Sequence, residues 1–194
     1  MFTAFNERFF WLINGAHAPV LDPVMLLFTF TAYSAPAVIV ALCALWWYGG
    51  LERRAVALLA AALLLAGGAV HAIKQNMVAD RPLAYFAGKT PPRDAAVHAP
   101  YERLSHRTFP SGHAQTAFSV ATLMALLFRR HRAWWFSWAA LAGISRVYLG
   151  AHFPLDVLAG AAIGAAVSAG TYYGFMAKGW IAPPRRKSAF FLWE

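Results

Sequence analysis

Three separated segments of this sequence carry residue types whose spacing could do chemistry: Lys74 followed by Arg81-Pro82, then Pro110-Ser111-Gly112-His113, then Ser145-Arg146 followed by His152 and Asp156. A lysine and two arginines supply fixed positive charge and forked donors matched to phosphate oxygens, and a serine and a glycine amide add hydrogen bonds. Two histidines set among these cations have the chemistry of a nucleophile and an acid. Asp156 follows His152 by four residues, within reach for a carboxylate to hold one imidazole nitrogen and leave the other free. Together these side chains describe a site for a phosphate group.

Everything else in the chain reads as a membrane scaffold that must bring the three segments together. Of 194 residues, 60% are hydrophobic and only 13% charged, with a mean hydropathy of +0.48; a soluble domain of this size is rarely so apolar. A net charge of +9 raises nucleic acid as a partner. The basic residues, however, sit in short clusters between long apolar runs instead of along one polar surface, so membrane lipid is expected and nucleic acid is not. The single cysteine, Cys43, lies in an apolar run, which excludes an intrachain disulfide and reads as a packing thiol. His17, His98, His106 and His131 read as solvated, and their spacing with Cys43 makes no zinc pattern.

The fold expected is all-α, an integral membrane bundle of five transmembrane helices preceded by a short interfacial helix over residues 4 to 17. The spans fall at residues 24 to 48, 55 to 74, 111 to 128, 133 to 151 and 155 to 177, most of them long enough to cross roughly 30 Å of hydrocarbon. No cleavable leader is expected, because Asn6, Glu7 and Arg8 precede an apolar stretch soon broken by Asn14-Gly15. Residues 75 to 110, rich in proline and charge, form the one long loop. No repeat or linker divides the chain, so residues 1 to 194 form one domain with its core at about 70 to 160 and a tail from 178 onward.

Five crossings put Lys74, the long loop, Ser111, Arg146, His152 and Asp156 on one face. The opposite face collects Arg53, Arg54, Arg129, Arg130, Arg132, Lys178, Arg185, Arg186 and Lys187, which makes it cytoplasmic by the positive-inside tendency and the motif face external. Ser111 reads as a helix cap and Pro154 as the first turn of another helix, so two positive helix ends are aimed at the same place. Gly160, Gly164 and Ser168 recur every four residues as a packing stripe. Plainer readings exist for each polar residue: snorkelling cations, polar helix ends, and Asp156 as a cap that can do both jobs. His71 reads first as an interhelical hydrogen bonder. Lys89, Arg93, Arg103 and Arg107 form a basic apron in the loop, and Asp80 is placed to pair with Arg81 or to stay in solvent.

With their order and spacing, Lys74-x6-Arg81-Pro82, Pro110-Ser111-Gly112-His113 and Ser145-Arg146-x5-His152-x3-Asp156 resemble the three-part signature of the type 2 phosphatidic acid phosphatase (PAP2) family, relatives of vanadium haloperoxidases. The flanking spans resemble small bacterial members, including the undecaprenyl-diphosphatase subgroup. The resemblance implies that His152 attacks phosphorus to form a phosphohistidine, Asp156 orients it, and His113 protonates the leaving oxygen. It implies that Lys74, Arg81, Ser111, Gly112 and Arg146 bind the phosphate oxygens, with no metal or other cofactor. The expected activity is removal of the terminal phosphate from a lipid phosphate or diphosphate at the outer face of a bacterial inner membrane. Undecaprenyl diphosphate comes first among substrates. Gly112 departs from the aspartate of some undecaprenyl-specific relatives, which keeps phosphatidylglycerophosphate, phosphatidic acid and lipid A 1-phosphate as alternatives. A non-catalytic anionic-lipid binder or transporter would need the cations but gain little from His152 backed by Asp156.

Overall fold

The computed structural model describes residues 2–49, 51–103 and 105–181, and these form helices joined by turns and loops with no strand among them. Helix α1 spans Phe2–Asn14, α2 Asp22–Thr31, α3 Ser34–Gly49, α4 Arg53–Asn76, α5 Pro82–Ala87, α6 Gly112–Leu127, α7 Arg132–Tyr148 and α8 Pro154–Ala177. Two of them, α4 and α8, are each 24 residues long and apolar enough to cross a membrane, and α2 with α3 makes a third span if the bent pair is counted as one. Helices α6 and α7, with 16 and 17 residues, are shorter.

The expected continuous span over 24 to 48 is broken. Its two halves meet at 74° around Ala32 and Tyr33. Pro36 supplies the reason: it has no N–H to give the carbonyl four residues back, and its ring crowds that carbonyl, so a helix can begin there but not run through. The span expected to end at 151 ends instead at Tyr148, three residues earlier. The long loop also has more structure than its prolines foretold, because Pro82 opens the short helix α5 and Asp94–Ala96 forms a single 3-10 turn.

Two packing arrangements place the site. Along the bundle, Gly160 and Gly164 of α8 lie directly on the backbone carbonyls of Ser111, the residue before α6, and of Gln115 within it, and the Ser119 hydroxyl donates to the Gly164 carbonyl across the same seam. Small residues let the two helices approach until their backbones touch, as the stripe predicts. Toward one end of the bundle, Leu45, Leu58, Leu123, Met124 and Tyr172 form a core. At the other end, where Lys74, Ser111 and Arg146 emerge, Phe10 of α1, Phe86 of α5 and Phe153 pack together with Val97 and Val147.

That second cluster changes the reading of the amino terminus. Helix α1 is present, but Phe10 and Asn14 are fully buried. The Asn14 amide donates to the carbonyls of His98, Val147 and Tyr148 and accepts from the His98 amide. The helix is therefore docked onto the end of α7 and the long loop, not merely laid on a lipid surface. Cys43 is free and exposed, on the outward side of α3 and not in the core. The expected basic tail, with Arg185, Arg186 and Lys187, falls outside the described residues.

Candidate active site

Each chemical segment ends a helix or begins one, and the helix ends meet. Lys74 stands in the last turn of α4 and Arg81 directly precedes α5. Ser111 caps α6, its hydroxyl accepting from the Ala114 amide at 3.4 Å, and Gly112 and His113 are the first residues of that helix. Arg146 belongs to the last turn of α7. Gly150, at φ +67°, then turns the chain back so that the amides of Ala151 and His152 both donate to the Arg146 carbonyl. A side chain is strained at such a φ, and here its Cβ would also strike the His98 carbonyl, so glycine suits the turn on both counts.

Direct bonds join the three segments. The Ser111 amide donates to the Asp156 carbonyl at 2.9 Å. Arg81 donates from Nη1 to the Ala151 carbonyl at 3.1 Å and from Nε to the His106 carbonyl at 3.0 Å. A cavity of about 310 Å³ is lined by Lys74, Gly112 and His113 together with Tyr33, His71 and Thr116. A Cβ built on Gly112 would meet nothing within 4 Å. Arg146, His152 and Asp156 are 1%, 1% and 4% exposed, so whatever they bind is held away from bulk water.

His152 is fixed by more than Asp156. The carboxylate Oδ2 lies 3.6 Å from His152 Nδ1, beyond a hydrogen bond. Between them stands Thr108, whose Oγ1 is 3.2 Å from Nδ1 and donates to the same Oδ2. Asp156 Oδ2 also accepts from the Phe153 amide at 2.8 Å, so this side chain does cap α8 while facing the histidine. Burial pushes the His152 imidazole down to about 4; the Asp156 carboxylate opposes the shift and the Arg81 charge adds to it. The ring is therefore neutral near pH 7, as a nitrogen nucleophile must be. His113 Nε2 is buried and has no hydrogen-bond partner among the described residues, and its ring meets Tyr33 edge-on at 4.3 Å.

Arg146 is engaged by a residue outside the three motif segments. Glu102, from the long loop, accepts from Arg146 Nη2 at 2.7 Å and from the Tyr33 hydroxyl, while Arg146 Nε has no partner among the described residues. Burial alone would raise the Glu102 carboxyl, but the hydrogen bonds from Tyr33 and Arg146 outweigh it and hold the group below the ordinary carboxylate value. Tyr33 reaches this position because it sits at the break between α2 and α3. Burial, and next the neighbouring Arg146 charge, pull the Arg81 guanidinium below its ordinary value, with Glu102 and Asp156 opposing; the four charges share one environment.

Other expected residues lie elsewhere. The Ser145 hydroxyl bonds Thr29 at 2.7 Å and the Ala142 carbonyl, tying α7 to α2 outside the site. Among the described residues His71 does not bond to another helix; its Nε2 pairs with Gln75 one turn on, at 2.7 Å. Asp80 pairs with His106 at 2.9 Å and not with Arg81. His98 is not solvated either: it pairs with Asp22 at 3.0 Å and stacks on His17. In the basic apron, Lys89 pairs with Glu7 at 3.3 Å and lies over the Tyr85 ring. Thr108, Glu102 and Tyr33 were missed. The available signals were a hydroxyl two residues before Pro110, an acid within a basic loop, and an aromatic three residues before Pro36.

Comparison with known proteins shows the family and the likeness of fold. The family model described as PAP2 superfamily matches residues 55–180. Undecaprenyl-diphosphatase BcrC of Bacillus subtilis is 30% identical over 160 residues, covering 79% of this chain and 75% of that protein. Lipid A 1-phosphatase of Rhizobium johnstonii is 47% identical over 58 residues; that match spans 30% of this chain and only 24% of the relative's length. Among solved structures, Aquifex aeolicus LpxE superposes with a TM-score of 0.75 at 29% identity, covering 87% of this chain and 95% of that one. A PAP2-type phosphatidylglycerolphosphate phosphatase of Bacillus subtilis gives a TM-score of 0.65 at 23% identity, a likeness of fold.

Proposed function

The chain belongs to the PAP2 superfamily, and from that premise we propose that it is an integral membrane lipid phosphatase that removes the terminal phosphate of a lipid phosphate or diphosphate. The observation that carries this reading is a buried His152, joined through Thr108 to Asp156, in the same enclosed environment as the guanidinium groups of Arg81 and Arg146. A binder or transporter needs the cations but not a nucleophile held in this way.

In the proposed reaction His152 Nε2 attacks phosphorus in line, the bond from phosphorus to the lipid oxygen breaks, and its electron pair leaves with that oxygen. His113, with Nε2 buried and unpartnered beside the cavity, gives the leaving oxygen a proton where one is needed. Water, activated by the same His113 acting as base, then cleaves the phosphohistidine and frees inorganic phosphate. Lys74, Arg81, Arg146, the Ser111 hydroxyl and the amides at the start of α6 hold the phosphoryl oxygens and stabilise transition-state charge.

The site is proposed to face the exterior of a bacterial inner membrane, with five crossings in which α2 and α3 count as one and the shorter α6 and α7 as two. One domain covers residues 1–194, its core at about 70–160 and its basic tail in the cytoplasm. Undecaprenyl diphosphate remains the first substrate, supported by the relative that matches along most of both chains. Lipid A 1-phosphate is the second, supported by short matches of higher identity to lipid A 1-phosphatases.

The test is phosphate release from purified undecaprenyl diphosphate, lipid A, phosphatidylglycerophosphate and phosphatidic acid, in chelator, comparing the parent with His113→Ala and His152→Ala. A diphosphate expels a lipid phosphate of low basicity, whereas a monoester must expel an alkoxide. Loss of His113 therefore slows monoesters far more than diphosphates, and loss of His152 stops both. Undiminished release by His152→Ala would refute the mechanism, and release abolished by chelator would refute its independence of metal.

A further inference from the structure

We propose that Thr108 is a positioning residue of this site: its hydroxyl, inserted between Asp156 and His152, fixes the imidazole as the tautomer with Nδ1 protonated and Nε2 free to attack phosphorus. The inference rests on the phosphatase reading above and names a residue that lies outside the three motif segments.

Donors and acceptors around Thr108 fix where the proton sits. A threonine hydroxyl has one hydrogen and two lone pairs. The hydrogen is used on Asp156 Oδ2, since an ionised carboxylate can only accept. The same oxygen lies 3.2 Å from His152 Nδ1 and, with its hydrogen committed, can only accept there, so Nδ1 carries the proton. Asp156 cannot impose that tautomer directly, because its nearer oxygen is 3.6 Å away and is already shared with the Phe153 amide. Thr108 is itself 3% exposed, so no bulk water competes for these bonds. Its amide, bonded to the Ala79 carbonyl at 3.2 Å, anchors the residue to the segment that bears Arg81.

The chemistry that follows balances without moving the threonine proton. As the Nε2 lone pair forms the bond to phosphorus and the lipid oxygen departs with its electron pair, the ring becomes cationic. The Nδ1 hydrogen stays on nitrogen, its bond to Thr108 strengthens, and the Asp156 charge is felt through the hydroxyl. Removing the hydroxyl leaves Nδ1–H without an acceptor in a dry site and lets the ring adopt the tautomer that cannot attack.

Thr108→Val keeps the shape and removes the hydroxyl, while Thr108→Ser keeps the hydroxyl and removes a methyl. The expected result for Thr108→Val is a fall in kcat of about 10- to 100-fold, the size of a lost hydrogen bond to a charged group, with KM little changed and Thr108→Ser close to the parent. Equal losses in both variants, or a Thr108→Val enzyme at parental kcat, would overturn the assignment. A readout free of turnover is the nitrogen NMR spectrum of 15N-histidine-labelled protein, with His152 assigned by comparison with His152→Ala. The parent is expected to show Nδ1–H at His152 and Thr108→Val a mixture of tautomers; Nε2–H in the parent would equally overturn it. If parent and His152→Ala release phosphate alike, the phosphatase reading fails on its own, and the spectrum still decides the role of Thr108.

Discussion

Replacing Gly160 by alanine tests whether the site depends on how closely α6 and α8 approach. Gly160 lies one turn beyond Asp156, and a Cβ there would overlap the Ser111 carbonyl oxygen, with the Ser111 carbonyl carbon at 3.1 Å and the Gln115 amide nitrogen at 3.2 Å. All three are backbone atoms, so no rotamer change relieves the clash, and the helices must part locally by about 1 Å. The same stretch of backbone carries the bond from the Ser111 amide to the Asp156 carbonyl. Separation therefore carries Ser111, Gly112 and His113 away from His152 and Asp156. A misplacement of about 1 Å between reacting groups costs on the order of 100-fold in rate, and overpacking of this kind costs about 1–3 kcal/mol of stability. The expected result is a kcat near 1% of parental and a melting temperature lower by several degrees, read by phosphate release in detergent micelles and by circular dichroism. Gly170→Ala is the control, since a Cβ there meets nothing within 4 Å, and it should leave turnover unchanged. Gly160→Ala at parental turnover and melting temperature would refute the dependence on helix contact.

Three further outcomes are expected. In the proposed mechanism His152 attacks only when Nε2 is unprotonated, and with the group pushed down to about 4 the nucleophile is lost only as pH falls through that value. The acid limb of kcat/KM for the free enzyme should thus lie near pH 4; a limb at about 6.5, the value of a solvated imidazole, would contradict the burial argument. Glu102→Gln removes the internal carboxylate that now pairs with Arg146, so inorganic phosphate should inhibit several-fold more tightly; weaker inhibition would show that Glu102 prepares Arg146 instead of competing for it. Asn14→Ala leaves three carbonyls and one amide without their side-chain partner, at a cost of about 2–3 kcal/mol; an unchanged thermal melt would mean that α1 is not held by these bonds.

The chemical segments were legible in the linear order because their helix-end signals are local. A serine cap before Gly112, a proline opening α8 and an i to i+4 spacing of His152 and Asp156 depend on neighbours in sequence, and so does the small-residue stripe on α8. The apolar runs that became α4 and α8 were equally plain from length and composition. Local signals misjudged the run from 24 to 48, where hydropathy averages over Pro36 and conceals a break that the backbone cannot avoid.

What the tertiary structure alone decided is which polar atoms share the buried space between helix ends. Thr108 and Glu102 come from a stretch that reads as an ordinary polar loop, and their neighbours mark them only weakly, as a hydroxyl shortly before Pro110 and an acid among basic residues. They matter because Phe10, Phe86 and Phe153 pin that loop over the site, where each buried donor must find an acceptor. Composition and spacing pointed to an anion site and to the cations and histidines proposed to serve it. The orientation of His152 and the partner of Arg146 depend on three-dimensional closure, because hydrogen bonds between residues 44 positions apart have no signature along the chain.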